Sequence, residues 1–304
     1  MRKMKKALKW IGFVVAGLAS LVVLISLAGY ITSERRINKT YDVAVEPLTV
    51  PTDAAAIEEG RRLTVIRGCV DCHGADYGGT TLIEDPAIGH IYGANLTTGE
   101  GSATSGWSAE DWARAIRDGV APDGRPLLMM PSSEYAGLSD EDIGRMVAYL
   151  RAAPPVDRLQ PESAIGPVVR AMLVTNQMPV PLISAEVIDH SRAAPASVPA
   201  EASVEFGAYQ ITTCTGCHGA NLGGGPVPFS APGDPPAANL TVGGELGTWT
   251  LDEFKNTLRT GVTPSGRALD PSKMPWPLAR EMTDTELEAI WFYLRSLPPV
   301  TLAQ

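Results

Sequence analysis

The cysteines limit this chain more than any other feature. There are four in 304 residues, and they fall in two strings, CVDCHG at 69–74 and CTGCHG at 214–219. Each string is C-x-x-C followed at once by histidine. Three chemistries use such a pair: half of a zinc site, a redox dithiol, and the attachment of a c-type haem. Zinc needs four converging ligands, which two C-x-x-C pairs could supply, but it gives no role to a histidine directly after each pair. A thioredoxin-like dithiol belongs in a βαβ setting, whereas the flanks here are rich in Gly, Pro and Thr. Haem attachment uses every part of the string. Cys69 and Cys72, or Cys214 and Cys217, each add to one vinyl group, and His73 or His218 turns its imidazole to the iron. The expectation is two covalently bound haem c groups, with zinc as the competing reading.

The second half of the chain repeats the first. CHGADYGG (72–79) matches CHGANLGG (217–224), and ANLT recurs at 94–97 and 238–241. GWSAEDWARAIRDGVAPDGR (106–125) matches TWTLDEFKNTLRTGVTPSGR (248–267), and residues 130–156 pair with 274–300 without a gap. An offset of 142 to 145 residues is too long for a solenoid repeat and suits two domains of about 100 residues. Ser108 with Asp111, and Thr250 with Glu253, read as helix-start caps; Ser139 with Asp142, and Thr283 with Glu286, repeat the device before the last helix. That helix places Ile143, Met146, Val147 and Leu150 on one face, matched by Leu287, Ile290, Trp291 and Leu294. Pro154-Pro155 and Pro298-Pro299 end it. The predicted fold class is all-α: two tandem domains of short helices, each around a covalent haem, after an N-terminal transmembrane helix. The predicted boundaries are an anchor at 1–35, a first domain at 54–156, a partly docked Pro/Ala-rich linker at 157–199, and a second domain at 200–304.

Arg2, Lys3, Lys5, Lys6 and Lys9 precede an uncharged run from Ile11 to Ile31. Twenty-one helical residues span roughly 31 Å, against a hydrocarbon core of about 30 Å. The run therefore reads as a retained anchor; Ala19 and Ala28 keep a cleaved signal peptide as the alternative. Positive charge ahead of the span places the N-terminus in the cytoplasm of a bacterial cell and the remainder on the periplasmic side of a single-pass protein. Residues 1–40 hold eight Lys/Arg and one Glu, whereas the rest of the chain has a net charge of −16. This excludes a basic nucleic-acid footprint and suits electrostatic steering to a basic partner as well as simple solubility.

A haem iron held by histidine needs a second axial ligand or an open position. Met129 and Met130 both qualify in the first repeat. The gapless pairing selects Met130, because it aligns with Met274 and each is followed by proline. Pro86, thirteen residues after His73, is a candidate to accept that imidazole's second N–H through its carbonyl. His90 and His190 read as surface or structural histidines. Trp107 and Trp249 read mainly as core, with an indole N–H able to reach a propionate. Asn95 and Asn239 fit turn caps or bonds to the haem edge, and Arg125 and Arg267 fit propionate partners or solvated loop residues.

The NLT motifs (95–97, 239–241), the W-S-x-x-D-W and W-T-x-x-E-F helix starts, the R-x-G-V-x-P-x-G-R segments (117–125, 259–267) and the Met-Pro pairs together resemble a dihaem cytochrome c. They are similar to the cytochrome c subunits of membrane-bound bacterial alcohol, aldehyde and gluconate dehydrogenases. Those subunits often carry three haems and an anchor elsewhere, so the particular partner stays open. The resemblance implies electron transfer between a periplasmic dehydrogenase and the respiratory chain, through redox partner proteins. No catalytic residue is assigned, for the chain carries no nucleophile elbow and no nucleotide-binding loop. The alternatives are a dihaem peroxidase-like enzyme and an electron-donor subunit of a terminal oxidase.

Overall fold

The structure, a computed structural model, describes residues 2–301 apart from 229 and 232. The side chains at 2, 3, 5 and 7, and residues 302–304 at the end of the second predicted domain, lie outside the described residues. The chain opens with α1 (Arg2–Ile37), of which Leu8–Ile37 is long and apolar enough to cross a membrane. Among the described side chains of this helix none is buried before Ser33.

The first repeat contains α2 (Ala54–Ile66), α3 (Cys69–His73), β1 (Thr81–Asp85), β2 (Gly89–Tyr92), α4 (Ala109–Asp118), α5 (Ser132–Tyr135) and α6 (Asp140–Ala152). The intervening segment adds β3 (Ala164–Ile165) and α7 (Pro167–Val174). The second repeat contains α8 (Val204–Gln210), α9 (Thr215–His218), α10 (Leu251–Thr260), α11 (Trp276–Ala279) and α12 (Asp284–Ser296). Capping explains where the longer helices begin. The Ser108, Thr250 and Thr283 hydroxyls each accept the N3 amide while the N3 acid returns to the cap backbone, and Ser139 accepts the Asp142 amide. The apolar faces read for α6 and α12 are buried as expected.

In each repeat the first helix crosses the last: α2 on α6, and α8 on α12. The crossings are backbone-close. A Cβ at Gly60 would stand 1.9 Å from the Arg145 carbonyl oxygen, and one at Gly207 would stand 2.0 Å from that of Ala289. Only glycine lets the helix axes approach so closely.

The all-α expectation needs a correction, because the first repeat carries a small antiparallel sheet in the order β1-β2-β3. Its hairpin turns at Asp85, whose carboxylate accepts the amides of Ala87 and Ile88 at 2.8 and 2.9 Å, and at Gly89 with φ 134°. The signal was an Asp-Pro turn with a glycine between short β-branched runs. The third strand comes from the segment after the repeat, and so was invisible locally.

One hydrophobic core contains residues of both repeats, from Leu63, Ile143 and Leu150 to Leu287 and Leu294. A second, smaller core joins Val43, Ile91 and Val120 to Ile165, Val169, Leu173 and Ile183. Residues 157–199 thus run against the first repeat. Arg192 bonds the Ala136 carbonyl at 2.8 Å and Asp118 at 2.9 Å, and the Pro195 and Ala196 carbonyls accept the amides of Asp140 and Glu141.

Candidate functional site

The two C-x-x-C-H strings lie on short helical turns, α3 and the Ile211–Cys214 3-10 turn leading into α9. Both face a single cavity between the repeats. Cys69, Cys72 and His73 line it from one side, and Cys214, Cys217 and His218 from the other. Met130 and Met274 line the same cavity, and most of its remaining wall is apolar, including Ile66, Ile211, Leu240, Phe254 and Leu294.

Met129 does not join them. It takes a left-handed backbone (φ 63°), donates its amide to the Leu182 carbonyl at 2.9 Å, and packs on the smaller core. Met130 packs on the core shared by the repeats, and its carbonyl accepts the Ser184 hydroxyl at 2.7 Å. Neighbours in sequence are thus turned to opposite sides of the chain, which spacing alone did not reveal.

The histidines are oriented alike. His73 Nδ1 lies 2.8 Å from the Ala94 carbonyl, and His218 Nδ1 lies 2.7 Å from that of Ala238. The acceptor in the first repeat is therefore Ala94 of the A-N-L-T motif, not Pro86, which sits at the hairpin turn. The shared ANLT motif held this signal, since its alanine recurs 21 residues after His73 and 20 after His218. A backbone carbonyl fixes each ring with Nδ1 as the donor and leaves Nε2 free. Burial lowers both imidazole pKa values, outweighing the carbonyl bond, and so favours the neutral form of each ring. Burial also pushes the Cys69 and Cys214 thiols up, to about 12 and about 11. Such thiols are poor redox nucleophiles.

Other candidates fall into place as structural residues. Asn95 Oδ1 accepts the Thr97 amide at 3.0 Å and its amide donates to the Val156 carbonyl at 2.8 Å; Asn239 repeats this with Thr241 and Val300. Each asparagine ties the NLT loop to the Pro-Pro-Val end of its own repeat. His190 sits between Asp118 (3.1 Å) and the Ala185 carbonyl (3.0 Å), and His90 is exposed on β2. Arg125 pairs with Asp123 and Arg267 with Glu245, both exposed. Trp107 packs edge-on to Trp112, and Trp249 packs on the shared core.

The charged residues lining the cavity were not anticipated, and all come from the first repeat. Arg67 is 2 % exposed; it reaches Gln210 Oε1 at 2.8 Å and leaves its Nε without a partner. Counted back from the first cysteine, its counterpart is Thr212, whose buried hydroxyl is also unpartnered. Glu134 points at the C-T-G-C loop, where a Cβ on Gly216 would stand 2.8 Å from its Oε1. Burial pushes this carboxyl up to about 7. Its counterpart in the second repeat is apolar, as is that of its neighbour: Leu278 for Glu134 and Ala279 for Tyr135.

Paired thiols, a neutral imidazole with a free Nε2, a methionine thioether and apolar walls form a donor set that suits a c-type haem on each side. They do not suit structural zinc: among the described residues no group of three or more His, Cys, Asp and Glu side chains converges. Duplicated helical repeats that present this set to an apolar cavity define a c-type haem protein. The model of the family described as Cytochrome c matches residues 57–154 and 206–298, and the chain belongs to the cytochrome c family. Membership implies covalent haem c with its iron.

Among curated proteins, the chain is similar to the fructose dehydrogenase cytochrome subunit of Gluconobacter japonicus, 27% identical over 84% of this chain and 56% of that one. The alcohol dehydrogenase (quinone) cytochrome c subunit of Gluconacetobacter polyoxogenes is 28% identical over 84% of this chain and 59% of that one. The gluconate 2-dehydrogenase cytochrome c subunit of Pantoea cypripedii is 33% identical over 36% of this chain and 26% of that one. The matches thus span between about a quarter and three fifths of the length of these relatives.

Proposed function

We propose that the protein is a membrane-anchored dihaem electron carrier that takes electrons from a periplasmic dehydrogenase and passes them towards the respiratory chain. The observation that carries this is the single apolar cavity shared by both C-x-x-C-H strings and both Met-Pro segments. Two attachment sites that open into one space suit a relay within the chain.

In this reading Cys69 with Cys72, and Cys214 with Cys217, hold one haem each by thioether bonds. His73 and His218 give Nε2 to the iron, with the Ala94 and Ala238 carbonyls fixing each ring. Met130 and Met274, which line the same cavity, would each offer a thioether to the iron. Haem iron supplies one-electron chemistry, and a thioether ligand favours its reduced form. The apolar walls would keep water away from a haem held there.

The dehydrogenase partner is inferred from the names of relatives, which are cytochrome subunits of fructose and quinone alcohol dehydrogenases. The anchor is inferred from α1, and the basic residues ahead of its apolar run support an outward-facing haem unit. The test is purification from native membranes in mild detergent. A dehydrogenase should accompany the chain, and that enzyme's substrate should reduce two haems per chain. Recovery of the chain alone, with turnover of peroxide, would overturn the reading.

A further inference from the structure

Helix α7 has the sequence PVVRAMLV, with Arg170 its sole charge. Val169 and Leu173 are buried in the smaller core, while Pro167, Val168 and Ala171 face out, Val168 at 47 % exposure. A helix apolar on both faces needs a cover on the second. Arg170 is engaged by α1: its guanidinium bonds the Ser33 hydroxyl and Glu34 at 2.7 Å each and lies 4.5 Å over the Tyr30 ring. Further along, Arg36 bonds the Leu173 carbonyl and, at 3.1 Å, Asn176.

The order of these contacts sets a direction. Arg170 meets residues 30–34, and Leu173 and Asn176 meet residue 36. Pro167 and Val168 therefore lie towards Ile31 and the apolar run. The hairpin tip lies there too. The Val168 amide donates to the Ala87 carbonyl at 3.0 Å and the Gly166 amide to that of Ile88 at 2.7 Å. Ile88 is 41 % exposed. Asp85 at this tip is occupied by the turn amides.

We propose that the first turn of α7 and the β1–β2 hairpin tip form a lipid-contacting foot, with Pro167, Val168, Ala171 and Ile88 seated in the headgroup–acyl boundary of the bilayer that α1 crosses. This rests on the anchor reading above. The argument for lipid as the cover is continuity: the patch is bonded to the helix at the level where its apolar run ends. Tyr30 beside it suits the aromatic belt of a membrane interface. The foot adds a second attachment point beside α1 and so holds the first repeat at a set height and tilt. In the second repeat, the described residues of 225–237 form one bridge, Gly225 to Ala237, and no strand.

The test uses the full haem-loaded chain in vesicles of phosphatidylethanolamine and phosphatidylglycerol. With all four native cysteines in thioether bonds, a single introduced cysteine is the one free thiol. A polarity-sensitive fluorophore is placed on Val168→Cys, Ile88→Cys, Ile25→Cys in the span, and Val262→Cys, an exposed apolar site of the second repeat. Emission is compared with and without lipids carrying a shallow nitroxide quencher, and for Ile25→Cys a deep one. Labels at 168 and 88 should show roughly a twofold loss, as expected of the headgroup–acyl boundary, while 262 shows none. If 25 is quenched and 168 and 88 behave like 262, the foot is overturned and the anchor stands; a protein would then be the cover. If 25 is not quenched, the anchor reading fails and takes the foot with it.

Discussion

The two repeats present the same cysteines, histidine and Met-Pro pair to the cavity in the same order, and differ in charge and in surroundings. The first supplies Arg67, Glu134 and Asp71 to the cavity wall, a hairpin on its outer face, and the following strand and helix that pack there. The second offers Thr212, Leu278 and Gly216 at the equivalent positions. Gly216 leaves room for the carboxylate of Glu134, so the first repeat provides the acid beside both C-x-x-C loops. The two copies thus share the proposed ligands and differ in the walls around them.

The exchange also runs through the helix caps. Glu286, the N3 acid of α12, takes Arg62 of the first repeat through two bonds of 2.7 and 2.9 Å. Asp142, the N3 acid of α6, takes the Tyr209 hydroxyl of the second at 2.6 Å. The caps of α6 and α12 therefore also tie these helices to the other copy, whereas the cap acids of α4 and α10, Asp111 and Glu253, bond within their own repeats.

The sharpest way to test the equivalence of the copies is to remove one attachment site. Cys69→Ala with Cys72→Ala should leave half the haem per chain by pyridine haemochrome assay, and Cys214→Ala with Cys217→Ala the other half. Full retention in either would break the two-haem reading.

Exchanging the proposed axial ligands comes next. Met130→His should lower one midpoint potential by a sizeable part of the roughly 0.8 V range that axial ligands span, and Met274→His the other. Met129→Leu should move neither. Spectroelectrochemical titration decides, and loss of the sulfur-to-iron band in Met129→Leu would reverse the choice of Met130.

The caps give the third comparison. Arg62→Ala takes the counter-charge from Glu286, whose side chain is 5% exposed and keeps only its neutral partners Thr283 and Gln210, and should cost about 3–5 kcal/mol in chemical denaturation. Tyr209→Phe removes the hydroxyl that bonds the Asp142 carboxylate and also meets the Ser139 amide and hydroxyl, and should cost about 1.5–3 kcal/mol. Equal losses would mean that the two ties do not differ as drawn.

The smallest effect is a pH dependence. The Glu134 carboxyl is raised from 4.5 to about 7 by burial. Between these values the unfolded chain gives up the proton more readily, so stability falls as pH rises from about 4.5 to about 7 and levels beyond. The span is at most about 3 kcal/mol. Glu134→Gln should flatten this slope in unfolding measured across that range, whereas Leu278→Gln, at the equivalent place, should leave the slope as it is.

Much of the site was legible because covalent chemistry and local geometry require particular residues at particular spacings. Cysteine pairs followed by histidine need no partner elsewhere to be recognised, and the caps and apolar faces of α6 and α12 follow from contacts within one helical turn. The duplication carried the choice of Met130, since alignment of two copies stood in for an absent three-dimensional view. Pro86 was the miss that the same comparison would have prevented, for it has no counterpart, while Ala94 recurs as Ala238.

The repeat structure, the helix starts, the paired motifs and the apolar N-terminal run were thus written in the sequence by itself, because each depends on neighbours close along the chain. Only the tertiary structure decided that both strings share one cavity, that Arg67 and Glu134 line it, that the capping acids reach across, and that α7 returns to the end of α1. Those contacts join residues separated by tens to hundreds of positions, such as Arg36 to Glu186 and Arg62 to Glu286. Their partners are set by how two packed copies bury a common core, which no local pattern encodes.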